Sequence, residues 1–398
     1  MMTEIKLTKE NAKEFLVQAQ MLSGDKLPAG AESVLKVLEN LKAIQVDSIS
    51  VAGTNQEIAL NSRIKSFVPE QLDSLLYEDR NAYEYWLKAL CILPIESYPY
   101  YEMSMKKENP WTGSFLKEYN KSCKDILMQI KKNGPMALSD FDDDRKVPGW
   151  WQGNERLVKW LLEALWNSGQ VMIHHRKGRI RYFDLKERCV PENKPLKDFR
   201  LYQKKAVHDI LSAQRLFALT NVSGEVWSTS KDVRKDIQKE FLNDGTIIPV
   251  IIKGSDREYF ILKEDIKLLD KKTRIPNEVR LIAPLDTITW DRKLVTDIFD
   301  FECTFEIYKP KKLRKYGYYC LFILYGKNFV GRCDISSEKK KGIMHVNSVH
   351  WEDGFKPGDD FLKSFTDALL DHKRFMGMKI IEMTKDKFIG RDKLISEI

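Results

Sequence analysis

The central feature of the apolar and polar pattern is a helix that runs directly into a strand, over residues 38–51. The helix face is marked by three apolar residues at helical spacing: Val34, Leu38 and Leu41. From Ile44 the pattern alternates, which in a strand places Gln45 and Asp47 on the same face. An amide beside a carboxylate can orient a water or stabilise a cation, as hydrolytic chemistry requires. Alternatively, Asp47 can cap the following helical turn and Gln45 can bind a backbone group.

Two later segments share one order of predicted elements, in which helices are followed by a β-hairpin. In the first, helices over 115–134 and 155–169 precede a hairpin that turns at Lys177-Gly178. In the second, the hairpin turns at Gly254-Ser255. This is the order of a winged helix, a helix-turn-helix variant that binds DNA. The predicted winged-helix units are 115–192, 198–275 and a less regular copy over 1–110.

From residue 278 onward the strand signals become closely spaced, and a final helix is predicted over 360–377. The predicted strands lie within 278–286, 301–308, 316–326, 328–335 and 343–351. We therefore predict a C-terminal antiparallel β-domain or small barrel over 278–398, closed by that helix. The fold class predicted for the whole chain is α+β, with tandem winged-helix domains preceding the β-domain.

Basic residues are concentrated at two places, although the net charge is only +8, from 66 basic and 58 acidic residues. The first hairpin has no acid near its turn, where the sequence reads His174, His175, Arg176, Lys177, Gly178, Arg179, Ile180 and Arg181. A second run precedes the central strand of the C-terminal domain: Lys309, Lys311, Lys312, Arg314 and Lys315. Both runs predict contact with nucleic acid, because basic side chains that neutralise phosphates release counterions. The alternative is a solvated surface, on which charge protects an edge strand from aggregation.

Composition excludes several other classes of protein. The chain has 398 residues, of which 43% are hydrophobic, enough for two to four packed domains. We expect a cytoplasmic protein, because no signal peptide or membrane-spanning stretch is visible. The six cysteines form no Cys-x-x-Cys pair, so we expect reduced thiols and no metal site. No dimerisation heptad is visible, and we expect a monomer.

Several segments together resemble the bacterial tandem winged-helix DNA glycosylases, the YcaQ-like crosslink-repair enzymes. They read IQVDSISV, LNSR, EYW, RIRYFDLKERCVP, LIAPLDTITWDR, FEIYKPKKLRKYGYY and NFVGRCD. The resemblance covers nearly the whole chain, and its C-terminal block is long and specific. It implies winged-helix units and a β-domain that curve around damaged duplex DNA, excision of N-alkylated purines and unhooking of interstrand crosslinks. It also implies that no metal and no cofactor take part.

By the same matching, the family's catalytic Gln-x-Asp falls on Gln45 and Asp47, which favours the catalytic interpretation over the cap. An N-alkylated purine is cationic and leaves without a strong general acid. Asp47 would therefore stabilise the oxocarbenium-like sugar and polarise a water that Gln45 positions. The predicted neighbours in the active site are Gln56, Arg63 and Lys88.

The chain departs from the family's pattern close to this triplet. Thr54, Gln56 and Glu57 stand where an Arg and one or two His are expected, and Lys88 replaces a His after EYW. These changes can redirect or slow the reaction, or mark a paralogue that binds DNA without cleaving it. Lys88 can also act as a lyase amine, although a solvated lysine is the commoner case. The competing hypothesis is a non-catalytic winged-helix DNA-binding protein or regulator, which needs no acid in its DNA channel.

Overall fold

A computed structural model describes residues 5–107, 110–149, 153–192, 194, 196–219, 226, 229–269, 274–384 and 388–397. The chain contains both helices and sheets, and strand pairing among the described residues is mainly antiparallel, in agreement with the predicted α+β class. Within those ranges, no helix combines the length and the apolar character needed to cross a membrane. All six cysteines are buried and unbridged, as predicted.

Residues 5–107 supply the strand-to-helix segment on which the functional argument depends. Their elements are β1 (Ile5–Thr8), α1 (Lys9–Ala19), α2 (Ala31–Leu41), β2 (Ile44–Gln45), α3 (Asn55–Asn61), α4 (Pro69–Asp73), β3 (Ala82–Trp86), β4 (Leu90–Pro94) and α5 (Tyr98–Lys106). The three predicted residues of the α2 face, Val34, Leu38 and Leu41, are buried. β4 lies between β2 and β3 in an antiparallel sheet. This sheet fixes where the chain enters the loop over residues 46–54.

Residues 110–192 end in the predicted hairpin. Their elements are α6 (Pro110–Glu118), α7 (Asn120–Asn133), β5 (Met136–Ala137), β6 (Lys146–Pro148), β7 (Asn154–Arg156), α8 (Leu157–Asn167), β8 (Val171–Lys177), β9 (Ile180–Leu185) and α9 (Lys186–Cys189). The hairpin turns at Gly178, whose φ of +60° glycine adopts without strain. The single helix predicted over 115–134 is wrong, because the backbone leaves helical angles at Tyr119 (φ −105°, ψ 29°) and two helices result.

Residues 196–269 contribute three strands to a sheet that also includes the first strand of the chain. The elements are α10 (Phe199–Gln214), β10 (Leu216–Phe217), α11 (Lys231–Asn243), β11 (Ile247–Lys253), β12 (Tyr259–Leu262) and α12 (Ile266–Leu269). The strand order is β1-β11-β12-β10, and β1 pairs in parallel with β11. The N-terminal strand therefore completes a sheet that the chain reaches more than two hundred residues later.

The C-terminal region is an open five-stranded sheet. Its elements are β13 (Val279–Ile282), α13 (Arg292–Phe299), β14 (Cys320–Tyr325), β15 (Asn328–Glu338), β16 (Ile343–Trp351), α14 (Asp359–Phe375), β17 (Ile380–Met383) and α15 (Arg391–Glu397). The order β13-β14-β15-β16-β17 leaves two edges, so the predicted barrel does not form in the described part of the chain. The sheet is also not wholly antiparallel, since β17 joins β16 in parallel.

The strand predicted over 301–308 is wrong. Phe301 and Cys303 are buried in one hydrophobic core, whereas Phe305 and Ile307 pack against another. The alternation in the sequence therefore records burial between two cores and not pairing in a sheet.

The N-terminal and C-terminal regions share a core that lies behind the loop over residues 46–54. Helices α2 and α3 pack there with the C-terminal sheet and α14. A buried ion pair reinforces this contact, because Arg63 after α3 donates to both carboxylate oxygens of Asp286 at 2.8 and 2.9 Å. Both side chains are fully buried. The position of the loop thus depends on residues at both ends of the chain.

Candidate active site

A cleft of about 720 Å³ lies between the N-terminal region, the β8–β9 hairpin and the C-terminal end of α14. Its walls come from the loop over residues 46–54, from α3 and α4, and from β3 and β4. The charged residues that line it are Asp47, Glu57, Asp73, Glu84, Glu163, Arg176, Arg179, Arg181 and Lys339. The volume is in the range of pockets that bind one small organic group.

Asp47 lines this cleft, just beyond the end of β2. Its backbone N–H donates to Oε1 of Gln56 at 3.1 Å, and its Oδ1 accepts the Ile49 N–H at 3.1 Å. The next helix begins only at Asn55, with Thr54 as its N-cap residue. The alternative in which Asp47 caps a helix is therefore wrong, and the carboxylate instead closes a local turn within the loop.

The surroundings of Asp47 disfavour its charge. Burial raises the pKa of Asp47, and the backbone N–H groups of Ile49 and Ser48 and the Arg179 guanidinium offset this only in part. A carboxylate in such a site gains more from a nearby cation than a solvated carboxylate does, because the local dielectric is lower.

The amide that contacts Asp47 belongs to Gln56. β2 ends at Gln45, so Asp47 lies beyond the strand and the two residues do not share a strand face as predicted. The Gln45 side chain is not part of the cleft lining, and its backbone carbonyl accepts the Asn55 side-chain amide at 2.7 Å. Gln56 does line the cleft. The chain makes a tight turn at Asp47, which the apolar periodicity does not reveal. Gln56, and not Gln45, therefore lines the cleft and contacts Asp47.

Two of the hairpin arginines are neutralised by carboxylates. Arg176 donates to both oxygens of the buried Glu84, at 2.8 and 2.5 Å, and the Tyr77 hydroxyl also donates to Glu84 at 2.9 Å. Arg181 pairs with Glu163. These carboxylates could not be recognised from the sequence around the turn, because they lie 92 and 18 residues away along the chain.

Lys177 and Arg179 are the exposed cations of the hairpin turn. Arg179 lines the cleft and donates to the hydroxyl of Ser50, on the loop that carries Asp47, at 3.1 Å. Burial lowers the pKa of His174 and of His175, whose ring nitrogens lie 2.9 Å apart. The positive charge of this hairpin is therefore concentrated at its tip.

The second basic run lies on an ordered loop outside the cleft. Lys311, Lys312 and Lys315 are exposed, and Arg314 lies 4.7 Å from the centroid of the Tyr318 ring. Glu306 holds this loop by accepting the backbone N–H groups of residues 315 and 316, at 3.1 and 2.8 Å, and the Lys309 ammonium at 2.9 Å. Burial raises the pKa of Glu306, but these donors outweigh it and lower the pKa to about 2.

Two predicted neighbours of the active site do not line the cleft. Arg63 is buried and paired with Asp286, and the Lys88 ammonium lies 4.6 Å from the centroid of the Trp290 ring. Near Asp47, the Thr54 N–H donates to Glu57 Oε2 at 2.9 Å. The departures at Thr54 and Glu57 thus organise the start of α3 while lining the cleft.

Sequence reasoning missed the acids on the opposite wall. Glu84 is 4% exposed and lies in a strand of aromatic residues. An isolated acid in such a strand could have indicated a buried, paired carboxylate. Burial, together with the charges of Glu57, Glu70 and Glu84, raises the pKa of Asp73 to about 6. Among the described residues, no group of three or more potential ligands is arranged to hold a metal ion.

Comparison with known proteins agrees with this arrangement of elements. The solved structure of the Streptomyces sahachiroi DNA glycosylase AlkZ matches with a TM-score of 0.57, over 96% of this chain and 100% of that chain. At 15% identity, this similarity establishes a shared fold. A family model described as "DNA glycosylase AlkZ-like" matches residues 38–375, a range that includes the loop, the hairpin and strands β13 to β16 of the C-terminal sheet. The resemblance seen in the sequence is confirmed, and the chain belongs to the AlkZ-like DNA glycosylase family.

Proposed function

We propose that this protein excises N-alkylated purines from duplex DNA, with Asp47 as the catalytic carboxylate. The observation that carries the proposal is a half-buried carboxylate in a ligand-sized cleft next to the exposed guanidinium of Arg179. An enzyme that acts on a base must take the nucleotide out of the stack and hold it in such a cleft. Arg179 lies where a phosphate flanking the extruded nucleotide can be bound.

The proposed chemistry uses the charge of Asp47 rather than a general acid. Alkylation at N7 or N3 makes the purine cationic, so the C1′–N bond breaks with its electron pair passing to the base. The sugar then carries the positive charge, which Asp47 stabilises because partial burial strengthens their attraction. Water attacks C1′ and passes a proton to Asp47 or to solvent. An abasic site and the neutral alkylated base are the products.

Two amides are candidates for orienting the attacking water. Gln45 matches the family's Gln-x-Asp, whereas Gln56 lines the cleft and holds the main chain of Asp47. We propose that Gln56 contributes more, and that Gln45 supports the loop through its backbone contact with Asn55.

The DNA path is proposed from the positions of the exposed cations. Lys177 and Arg179 supply contacts at the cleft, and Lys311, Lys312 and Lys315 supply contacts on the C-terminal loop. We retain the winged-helix units over 1–110, 115–192 and 198–275 and the β-rich domain over 278–398. The order of elements supports these units: β5, α8 and the β8–β9 hairpin are followed by β10, α11 and the β11–β12 hairpin in the same order. Binding as a monomer is part of the proposal.

Unhooking of interstrand crosslinks is proposed as the same reaction on a larger substrate. A purine joined to the other strand through N7 or N3 is also cationic, so its glycosidic bond is broken in the same way. The cleft must then accept a base that remains attached to its partner. Crosslinked duplexes compared with singly alkylated ones test this directly.

Base release from duplex DNA that contains N7-methylguanine tests the proposed function. The protein is incubated with this duplex and with an unmodified duplex of the same sequence, and free base is separated by chromatography. Release only from the modified duplex is the expected result. If both duplexes are bound but neither loses a base, the non-catalytic DNA-binding alternative replaces the proposal.

A further inference from the structure

The basic loop of the C-terminal region (residues 308–318) exposes two large apolar side chains among its cations. Leu313 is 68% exposed and lies between Lys312 and Arg314 along the chain. Tyr308, at the start of the loop, is 88% exposed. No residue of the loop is acidic. Single exposed apolar residues are common, but a leucine and a tyrosine on one cationic loop suit a partner that offers both negative charge and apolar faces.

Hydrogen bonds fix the turn that carries Leu313. Lys311–Leu313 is one turn of 3-10 helix, and the Leu313 N–H donates to the Pro310 carbonyl at 2.8 Å. The Nε of Arg314 donates to the Lys309 carbonyl at 2.9 Å, which ties the end of the turn to its start. The Leu313 side chain is therefore exposed on an ordered element, and little backbone freedom is lost when a partner covers it.

The residues before Tyr308 anchor the loop to the protein. Phe305 and Ile307 pack against the core shared by the N-terminal and C-terminal regions, and Glu306 between them in the sequence is buried. The Tyr308 ring makes a T-shaped contact with Phe305, with 6.3 Å between the centroids. Tyr308 nevertheless remains open to solvent. Buried neighbours and an ordered turn thus hold Tyr308 and Leu313 at the surface.

The cations and the apolar side chains of this loop require different parts of DNA. Lys311, Lys312 and Lys315 are exposed and can bind phosphates, which gives affinity without contact to a base. Leu313 gains nothing from a phosphate, and its favourable contact is with the face of a base. That face is accessible only where two neighbouring bases separate. In proteins that kink DNA, apolar side chains enter such a step while basic ones bind around them.

We propose that the basic loop opens the base stack of duplex DNA, with Leu313 inserted into a base step and Tyr308 packed on the base face that this exposes. The inference rests on duplex DNA as the partner in the proposed function, but it does not require base release. Separation of a base step is unfavourable, and burial of the two apolar side chains together with the lysine–phosphate contacts offsets it. A nucleotide beside an opened step leaves the stack more readily, and the loop thereby aids its extrusion.

The test uses 2-aminopurine, an adenine analogue whose fluorescence is quenched by stacking on neighbouring bases. It is placed at the central positions of a short undamaged duplex, and fluorescence is measured with saturating full-length protein. The parent should raise the fluorescence on binding. Leu313→Ala should abolish most of this rise and weaken binding by about tenfold, the equivalent of one buried leucine side chain. Tyr308→Ala should also reduce the rise, whereas Tyr308→Phe, which keeps the ring, should match the parent.

Two controls separate insertion from other losses. Met128 on α7 is 61% exposed and lies outside the basic loop, so Met128→Ala should behave as the parent. Lys312→Ala should reduce the slope of log K against log salt concentration by about 0.9, because one phosphate contact is lost. At saturation, Lys312→Ala should retain the rise in fluorescence, since Leu313 is still present. Leu313→Ala should show the reverse, with its slope unchanged and its rise lost.

The tip of the β8–β9 hairpin is the alternative site of insertion, because Ile180 is also exposed and lies between Arg179 and Arg181. If Ile180→Ala loses the rise and Leu313→Ala keeps it, the hairpin opens the stack and the inference is overturned. A parent that raises no fluorescence, or a Leu313→Ala variant that raises it as much as the parent, also overturns the inference. Because the duplex is undamaged, the result does not depend on excision. An opened stack without release of N7-methylguanine in the base-release assay supports the inference and contradicts the proposed function.

Discussion

At the scale of single residues, Asp47 is a partly buried carboxylate whose main chain is held by hydrogen bonds. The Gln56 side chain and the Ile49 N–H hold the turn, each through a hydrogen bond of 3.1 Å. Burial raises the pKa of the carboxyl group, so a nearby cation stabilises its charged form more than it would stabilise a solvated carboxylate. A charge that is already oriented requires little rearrangement when the sugar cation forms, and this is the basis of its expected catalytic effect.

Single substitutions distinguish the roles of the two amides, Gln45 and Gln56. Gln56→Ala removes the side chain that binds the Asp47 N–H, and base release is expected to fall about tenfold, because a water replaces the amide only in part. Gln45→Ala is expected to cost less, about threefold, because its side chain is not part of the cleft lining. Single-turnover rates at pH 7.5 measure both. A larger loss for Gln45→Ala than for Gln56→Ala would return the water-positioning role to Gln45.

The positions that could be anticipated from the sequence are those marked by a local pattern or by their place in a longer motif. Asp47 interrupts an apolar run, and the family resemblance singles out its short triplet; the residue does line the cleft. Arg63 could not be assigned in this way, because its partner Asp286 lies 223 residues further along the chain. The turn at Asp47 has no clear signature in the apolar pattern, so the sequence did not show that Gln56, and not Gln45, lines the cleft.

At the scale of elements, the β8–β9 hairpin divides its charges into two kinds. Arg176 and Arg181 are bound to carboxylates and hold the hairpin against the protein. Lys177 and Arg179 are exposed at its tip. Only the second kind can exchange counterions for phosphates without first breaking an ion pair.

This division predicts different effects on the salt dependence of DNA binding. Lys177→Ala and Arg179→Ala should each reduce the slope of log K against log salt concentration by about 0.9, the value for one lost phosphate contact. Arg181→Ala is the matched control and should leave the slope nearly unchanged, because Glu163 already neutralises Arg181. Fluorescence anisotropy of a labelled duplex between 50 and 300 mM salt, roughly the range in which such slopes are resolved, measures all three. Equal slopes for Arg179→Ala and Arg181→Ala would contradict this division.

Element positions were predicted well where a local signal exists. Gly178 turns the predicted hairpin, and Val34, Leu38 and Leu41 form the predicted buried face of α2, each through a signal confined to a few residues. The region over 301–308 was predicted wrongly, because burial between two cores produces the same alternation as a strand. Parallel pairing of β1 with β11 leaves no trace in either segment alone.

At the scale of the whole molecule, the cleft depends on contacts between distant parts of the chain. The core behind Asp47 joins α2 and α3 to the C-terminal sheet and α14. The Arg63–Asp286 pair lies at this junction, with Arg63 also donating to the Gln20 and Ala59 carbonyls at 2.8 Å. The junction therefore links the loop that carries Asp47 to residues near the other end of the protein.

Replacement of Arg63 should weaken this junction without changing the cleft lining. Arg63→Met leaves Asp286 buried without its counterion, and the free energy of unfolding is expected to fall by about 3–5 kcal/mol. Urea denaturation followed by circular dichroism measures the change. The double variant Arg63→Met with Asp286→Leu should recover much of the loss, since no buried charge then remains unpaired. A single variant as stable as the parent would show that the pair contributes little.

The most direct test of the catalytic role is the rate of base release by Asp47→Asn. Asparagine keeps the size of the side chain and can still accept the Ile49 N–H, so the fold and the affinity for DNA should be retained. Loss of the charge is expected to slow single-turnover release of N7-methylguanine by roughly a hundredfold or more, because the sugar cation loses its stabilising carboxylate. Thermal unfolding and DNA binding of the same variant serve as controls. Release at the parental rate would contradict the assignment of Asp47 as the catalytic carboxylate.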